Sequence, residues 1–219
     1  MTKADAPASP SRRRFLKRTG WVAAGLTVVA AGAIPAIRAN LPALPSVSDP
    51  APGDGLAWVQ MLADGRARFF CPRMEMGQGA GLGLSQIVAE ELNLTQDQIE
   101  CLLPDTSQIA PVKMTVGSES ISVFFELVAQ GAAHLREALR QRAADAAGVA
   151  ISDMADAPGG FRGPGAHRVR YGDLVEASPV IVDLDTETAV KLYSRDTARQ
   201  TKAIGQAWHH HEVRDIVTG

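Results

Sequence analysis

The residues best suited to chemistry lie in Arg73-Met74-Glu75-Met76-Gly77-Gln78-Gly79-Ala80-Gly81-Leu82-Gly83-Leu84. Glycine falls at every second position from 77 to 83, which frees the backbone to take positive φ and to approach a ligand closely. The turn runs into a helical pattern, so it aims backbone N–H groups and a helix N-terminus at whatever faces it, a geometry suited to phosphates and other anions. Gln78 is the one side chain in the turn with both a donor and an acceptor. A dinucleotide fingerprint is excluded by spacing, because neither register of the glycines gives G-x-G-x-x-G. A Walker loop is excluded because no Gly-Lys-Ser/Thr follows.

A second polar turn, Gly117-Ser118-Glu119-Ser120, opens the longest helical pattern of the chain. Ser118 and Ser120 are hydroxyls at a helix start, where they either cap the helix or, with the free N–H groups, bind an anion. Cys71 and Cys101 are 30 residues apart with no C-x-x-C, which excludes an iron–sulfur cluster or a structural zinc held by this chain alone. Both sit in apolar, strand-like runs and are expected as buried free thiols rather than a disulfide. His209, His210 and His211 are consecutive and include no i,i+4 pair, so a solvated turn is expected there. His134 adjoins an apolar stripe and is expected to pack.

The elements that must position these groups can be read in order. Asp64-Gly65 between Trp58–Ala63 and Ala67–Cys71 predicts a β-hairpin, ended by Pro72. Leu84, Ile87, Val88 and Leu92 predict a helix over about 82–93. Thr95 with Gln98 reads as a capping box, and Ile99–Leu103 as a strand stopped at Pro104. A loop is expected over 107–116. The long helix then carries Ile121, Phe124, Phe125, Val128, Ala132, Leu135 and Leu139 on one side and Arg136, Glu137, Arg140 and Arg142 on the other, closing at Gly148. Burying the stripe contributes on the order of 10 kcal/mol before entropy. Residues 149–170 are rich in glycine and poor in large apolar side chains, which predicts a surface loop or disordered insert. Residues 170–177 predict a strand end and short helix, and 180–193 a strand. The fold class expected is α+β, a hairpin and short strands packed with two main helices.

Composition is that of a globular protein, 46% hydrophobic and 21% charged over 219 residues. Residues 1–39 hold seven of the 22 basic and one of the 24 acidic residues, leaving 15 and 23, a net of −8 for the remainder. An acidic remainder argues against a nucleic-acid partner. Ser11-Arg12-Arg13-Arg14-Phe15-Leu16-Lys17, followed by the uncharged Trp21–Ile37, has the layout of a twin-arginine export signal over residues 1–39, with a membrane anchor as the alternative. Periplasmic location and insertion of a cofactor before export are then expected. Residues 40–55 read as a linker, 56–148 as the cofactor-binding segment and 149–219 as a loop and connecting segment.

Taken together, Glu75-Met-Gly-Gln-Gly79, Gln86-Ile-Val-Ala-Glu90, Asp105-Thr106, Thr115-Val-Gly-Ser-Glu-Ser120, Arg170-Tyr171-Gly172-Asp173-Leu174 and Ile204-Gly205 … Arg214-Asp215-Ile216-Val217-Thr218-Gly219 resemble the molybdopterin-binding large subunits of the xanthine dehydrogenase/aldehyde oxidase superfamily. The type is that of the isoquinoline 1-oxidoreductase large (beta) chain. The resemblance implies part of a molybdenum-cofactor-binding domain. It assigns Gly77, Gln78, Gly79 and Ala80 to the pyranopterin and Gly117, Ser118 and Ser120 to the phosphate and nucleotide part of a molybdopterin cytosine dinucleotide. It implies oxidation of an aldehyde or N-heterocycle with water-derived oxygen. The implied partners are the remaining molybdenum-subunit domains, a 2Fe-2S small subunit and a membrane cytochrome c. The family's catalytic glutamate, in a Gly-Val-Gly-Glu context, has no counterpart here, so no catalytic residue or direct metal ligand is assigned. The expectation is the N-terminal part of such a subunit; a non-catalytic cofactor-binding remnant and a truncated, unfolded product are the alternatives.

Overall fold

The computed structural model describes residues 58–103, 112, 114–175, 189–210 and 213–218, all within the compact unit Val47–Gly219. The twin-arginine segment, the linker, Asp105-Thr106 and most of the expected 180–193 strand lie outside the described residues.

The Asp64-Gly65 signal makes the hairpin that the sequence predicts. Strands β1 (Val59–Met61) and β2 (Ala67–Phe70) pair antiparallel, with Val59 opposite Phe69 and Met61 opposite Ala67. Gly65 takes φ 83°, and the Asp64 carboxylate accepts from the Arg66 N–H and Nε at 3.0 and 2.6 Å. Helix α1 (Ala80–Leu92) leaves β2 and returns the chain to β3 (Ile99–Leu102), which pairs parallel to β2 with Phe69 opposite Cys101. A parallel partner requires a crossover of this length. Asn93, left-handed at φ 54°, ends α1, and Thr95 N–H donates to Gln98 Oε1 at 3.1 Å in the short turn before β3.

Helix α2 (Ser120–Ala147) packs along α1 and ends at Gly148, whose φ of 65° admits the closing bonds to Ala144 and Asp145 carbonyls. Phe124, Val128, Ala132, Leu135 and Leu139 are buried as predicted, against Leu84, Val88 and Leu92 of α1 and Phe69 of β2. Ile121 departs from the stripe and is 41% exposed. Arg136 departs the other way. Expected on the outer side, it is fully buried, because the buried Glu91 carboxylate at 2.8 Å and the Tyr193 ring at 3.6 Å replace its water.

Residues 149–170 are not a loop. They form a second sheet, β4 (Ala155–Ala157), β5 (Gly160–Arg162) and β6 (Arg168–Arg170), all antiparallel. Of the glycines that suggested disorder, Gly160 opens β5 and the others lie between the strands, and Met154, Ala157 and Phe161 are buried. Strands of three residues are too short to show a periodicity. Helix α3 (Tyr171–Val175) follows at once, its Tyr171 ring edge-on to Phe161 at 5.3 Å. A short helix α4 (Val213–Thr218) closes the described chain.

Candidate functional site

The glycine turn lies between β2 and α1, and its shape comes from Glu75. The Glu75 carboxylate accepts from the Gly77 and Gly79 N–H groups at 3.0 and 2.9 Å through Oε1, and from the Gly81 N–H at 3.2 Å through Oε2. The N–H groups expected to point at an outside anion are therefore held from within. Burial pushes the Glu75 carboxyl up, but the bonds from Gly79, Gly81 and Gly77, with His210 nearby, outweigh it and hold it below the usual carboxylate range. Gly77 and Gly79 have φ of 89° and 71°, so both need glycine.

Gln78 is exposed but tied to the same turn. Its Oε1 accepts from Met76 N–H at 2.6 Å and its Nε2 donates to Met74 O at 2.7 Å. One amide hydrogen and one lone-pair direction remain for a ligand. Ala80 is the buried first residue of α1.

The second turn stands immediately before α2. Gly117 and Ser118 both have positive φ, 70° and 56°, and both are exposed. Glu119 occupies the cap position with no side-chain capping bond. Neither serine takes the capping role: Ser118 is in the left-handed turn ahead of the cap, and the Ser120 hydroxyl accepts from Arg73 instead.

Arg73 joins the two turns. It is 2% exposed, its Nε donates to Ser120 Oγ at 3.4 Å, and its Nη2 donates to Met114 O at 2.8 Å. Its guanidinium lies 4.7 Å from the centroid of the Phe124 ring. One residue on, Met74 N–H donates to Thr115 Oγ1 at 2.9 Å. Burial lowers the Arg73 pKa, countered in part by Cys71 and Glu119. The sequence carried no sign of this bridge, because a charged residue beside glycines reads as solvated.

The floor of the first turn is made by two thiols. An added Cβ at Gly81 would meet Cys101 Sγ at 3.3 Å, Glu75 Oε2 at 3.7 Å and Cys71 Sγ at 3.9 Å. Both cysteines are free, as expected; Cys71 is buried, whereas Cys101 is only half-buried. The Cys101 thiol and burial push Cys71 far above the usual thiol range. At Gly83 a Cβ would meet Ile121 Cδ1 at 3.0 Å, so this glycine serves the approach of α1 to α2.

Around both turns the surface is apolar. Met74 (67%), Met76 (64%), Met114 (66%), Val116 (48%) and Ile121 (41%) are all exposed. Outside them, segment 193–210 is strapped over α1. Glu91 accepts from Tyr193 and Ser194 N–H at 2.9 and 2.8 Å, and Glu90 from Lys202 and Ala203 N–H at 2.8 and 2.7 Å. Gln86 Nε2 donates to Gln206 O at 2.9 Å, and Gln96 Oε1 accepts from His209 N–H at 3.1 Å. His210 is half-buried at the end of the strap, His134 is half-buried along α2, and His211 lies outside the described residues. A separate hollow of about 650 Å³ at the open edge of β3, lined by Arg66, Asp97, Glu100 and His209 among others, contains none of the assigned residues.

The described unit is α+β, with a glycine turn and a polar turn joined through Arg73, and the sequence identifies its family. The pattern of the molybdopterin cofactor-binding domain family matches residues 7–214, and the chain belongs to that family. Among curated proteins it is similar to the large (beta) chain of isoquinoline 1-oxidoreductase of Brevundimonas diminuta, 28% identical over 199 residues, covering 87% of this chain and 24% of the relative. It is also similar to a nicotinate dehydrogenase subunit of Pseudomonas putida, 28% identical over 62% of this chain and 11% of the relative. A third relative is the membrane-bound aldehyde dehydrogenase of Gluconacetobacter polyoxogenes, 27% identical over 57% of this chain and 16% of the relative. The chain thus spans a quarter or less of the length of these relatives. Solved structures with partial likeness include CO dehydrogenase of Oligotropha carboxidovorans, TM-score 0.49 at 20% identity over 57% of this chain and 18% of that one. Quinoline 2-oxidoreductase of Pseudomonas putida 86 gives 0.47 at 19% over 54% and 15%.

Proposed function

We propose that this chain supplies part of the molybdopterin cradle of an exported molybdenum hydroxylase subunit that oxidises an aldehyde or an N-heterocycle with water-derived oxygen. The observation that carries this reading is Arg73, which locks the two turns assigned to the cofactor into one face. The residues fit the group in a divided way. The first turn, its Gly77, Gly79 and Gly81 N–H groups already taken by Glu75, offers the Gln78 amide, suited to the donor–acceptor edge of a pterin. The second offers exposed backbone at Gly117 and Ser118 and the Ser118 hydroxyl, suited to phosphate and the cytidine part of a cytosine dinucleotide cofactor.

The cofactor, when bound, supplies the two-electron redox chemistry. This chain's residues hold it: the Gln78 amide, presented by the Gly77–Ala80 turn, orients the pterin, and Ser118, Ser120 and Gly117 hold the anionic end. The five exposed apolar side chains support a further protein surface that covers this face and excludes water. The remaining molybdenum-subunit domains are the partner proposed for it; the proton-accepting glutamate of the reaction comes from there. A 2Fe-2S subunit and a membrane cytochrome c take the electrons, and the twin-arginine segment delivers the assembled protein to the periplasm.

The test is the native protein that contains this chain, purified with whatever it is bound to and assayed for bound molybdenum and released cytidine monophosphate. Equimolar amounts are expected in the wild type, and loss of both in the Gln78→Ala/Ser118→Ala double variant. Full retention of both in the double variant would refute the assignment.

A further inference from the structure

We infer that Glu75 is the positioning residue of this site: its carboxylate is a resident anion that fills the N–H nest of the glycine turn, sets the turn's shape and closes that nest to a ligand's phosphate. That the turn faces a cofactor rests on the reading proposed above; that the nest is filled from within does not.

The spacing of the motif follows from this geometry. Gly77, Gly79 and Gly81 stand two, four and six residues after Glu75, and it is their N–H groups that converge on its two oxygens. Positive φ at Gly77 and Gly79 turns alternate N–H groups to one side. Gly81 lies in the first turn of α1, where the N–H has no partner within the helix; Glu75 Oε2 supplies one. An added Cβ at Gly81 would stand 3.7 Å from that oxygen, an ordinary contact, and would press instead on Cys101 Sγ at 3.3 Å. A carboxylate at a helix N-terminus is also favoured by the helix dipole. The chain has therefore built an anion nest and occupied it. Anion recognition then falls to the Gly117–Ser120 turn, where Gly117 and Ser118 are exposed and the Glu119 side chain lies against Gly117, and the glycine turn is left to neutral ligand groups through Gln78.

The test uses the full chain without metal or cofactor, and its probes are sodium formate and inorganic phosphate against equal ionic strength of chloride. In Glu75→Ala the nest is emptied, and formate is expected to refill it. At several times its dissociation constant, formate should raise the melting temperature of Glu75→Ala by about 3 °C and leave the wild type unmoved. Phosphate should leave the amide resonances of Gly77, Gly79 and Gly81 in the wild type in place. Equal shifts by formate in the two proteins, or phosphate-induced movement of those wild-type resonances, overturns the inference. Glu75→Gln serves if Glu75→Ala does not fold. It keeps an oxygen for Gly77 and Gly79 but turns an NH2 toward Gly81, so the Gly81 amide should exchange at least about 10-fold faster with deuterium while Gly79 keeps its protection. Unchanged exchange at Gly81 contradicts the role. Neither readout depends on molybdenum, so failure here leaves the joined turns intact, and loss of the cofactor assignment leaves the filled nest intact.

Discussion

Arg73 carries a cost and a benefit that can be measured separately. A buried guanidinium is retained only where its hydrogen bonds and ring contact offset the loss of water, and here those contacts end on the second turn. Arg73→Ala is expected to lower stability by about 2–3 kcal/mol in chemical denaturation, since it removes charge-assisted bonds and leaves Met114 O and Ser120 Oγ without their donor. Gln78→Ala should change stability by less than about 1 kcal/mol in the same measurement, because the side chain is exposed and its bonds compete with water. At this scale the sequence was legible where residue type is distinctive. Gln78 and the positive-φ glycines stood out, as did the polar start of α2. Glu75 and Arg73 did not, because a charged side chain flanking glycines has no pattern that separates an inward-turned group from a solvated one. Ser118 stood between two roles for the same reason: only the backbone angle decides whether the hydroxyl can cap.

The elements that hold the turns are α1, α2 and the strap over 193–210. Their junction is the buried pair Glu91–Arg136, whose members also bind Tyr193, Ser194 and the Lys191 carbonyl. Removing one partner leaves a buried charge uncompensated, so Arg136→Ala is expected to cost about 3–5 kcal/mol, read from urea unfolding, whereas Glu91→Gln with Arg136→Met together should cost less than the single changes added. A second test lies where α3 meets the hairpin. An alanine Cβ at Gly172 would stand 2.3 Å from Ala63 O, so Gly172→Ala should destabilise by about 1–3 kcal/mol through a forced backbone shift. The hairpin, α1, α2 and α3 were visible in the sequence because each has a local cause: Asp-Gly, an apolar period, a glycine stop. The parallel pairing of β3 with β2 was not visible, being fixed only by the crossover of α1. The β4–β6 sheet was hidden by its three-residue strands. Arg136 was assigned to the wrong side because helical period alone cannot tell a solvated arginine from one matched by a buried carboxylate on another helix.

The molecule as a whole depends on carboxylates that are held ionised. Burial raises Glu75, Glu137 and Asp156, but the N–H groups of the glycine turn, the Arg140 and Arg136 guanidiniums, and the Tyr193 hydroxyl with Arg140 respectively bring each below its usual value. Their folded pKa values lie below the unfolded ones, so the stability they contribute is complete above the usual carboxylate range and is lost as pH falls below that range through the folded values. Melting temperature should therefore fall steeply under about pH 4, and less steeply in Glu75→Gln. The central claim is that the Gly77–Ala80 and Gly117–Ser120 turns make one cofactor face. Hydrogen–deuterium exchange on the native protein that contains this chain, cofactor-loaded against cofactor-free, tests it most directly. Peptides spanning 73–82 and 114–122 should gain protection together on loading, with the β4–β6 sheet unchanged; protection of only one turn, or of neither, would contradict it.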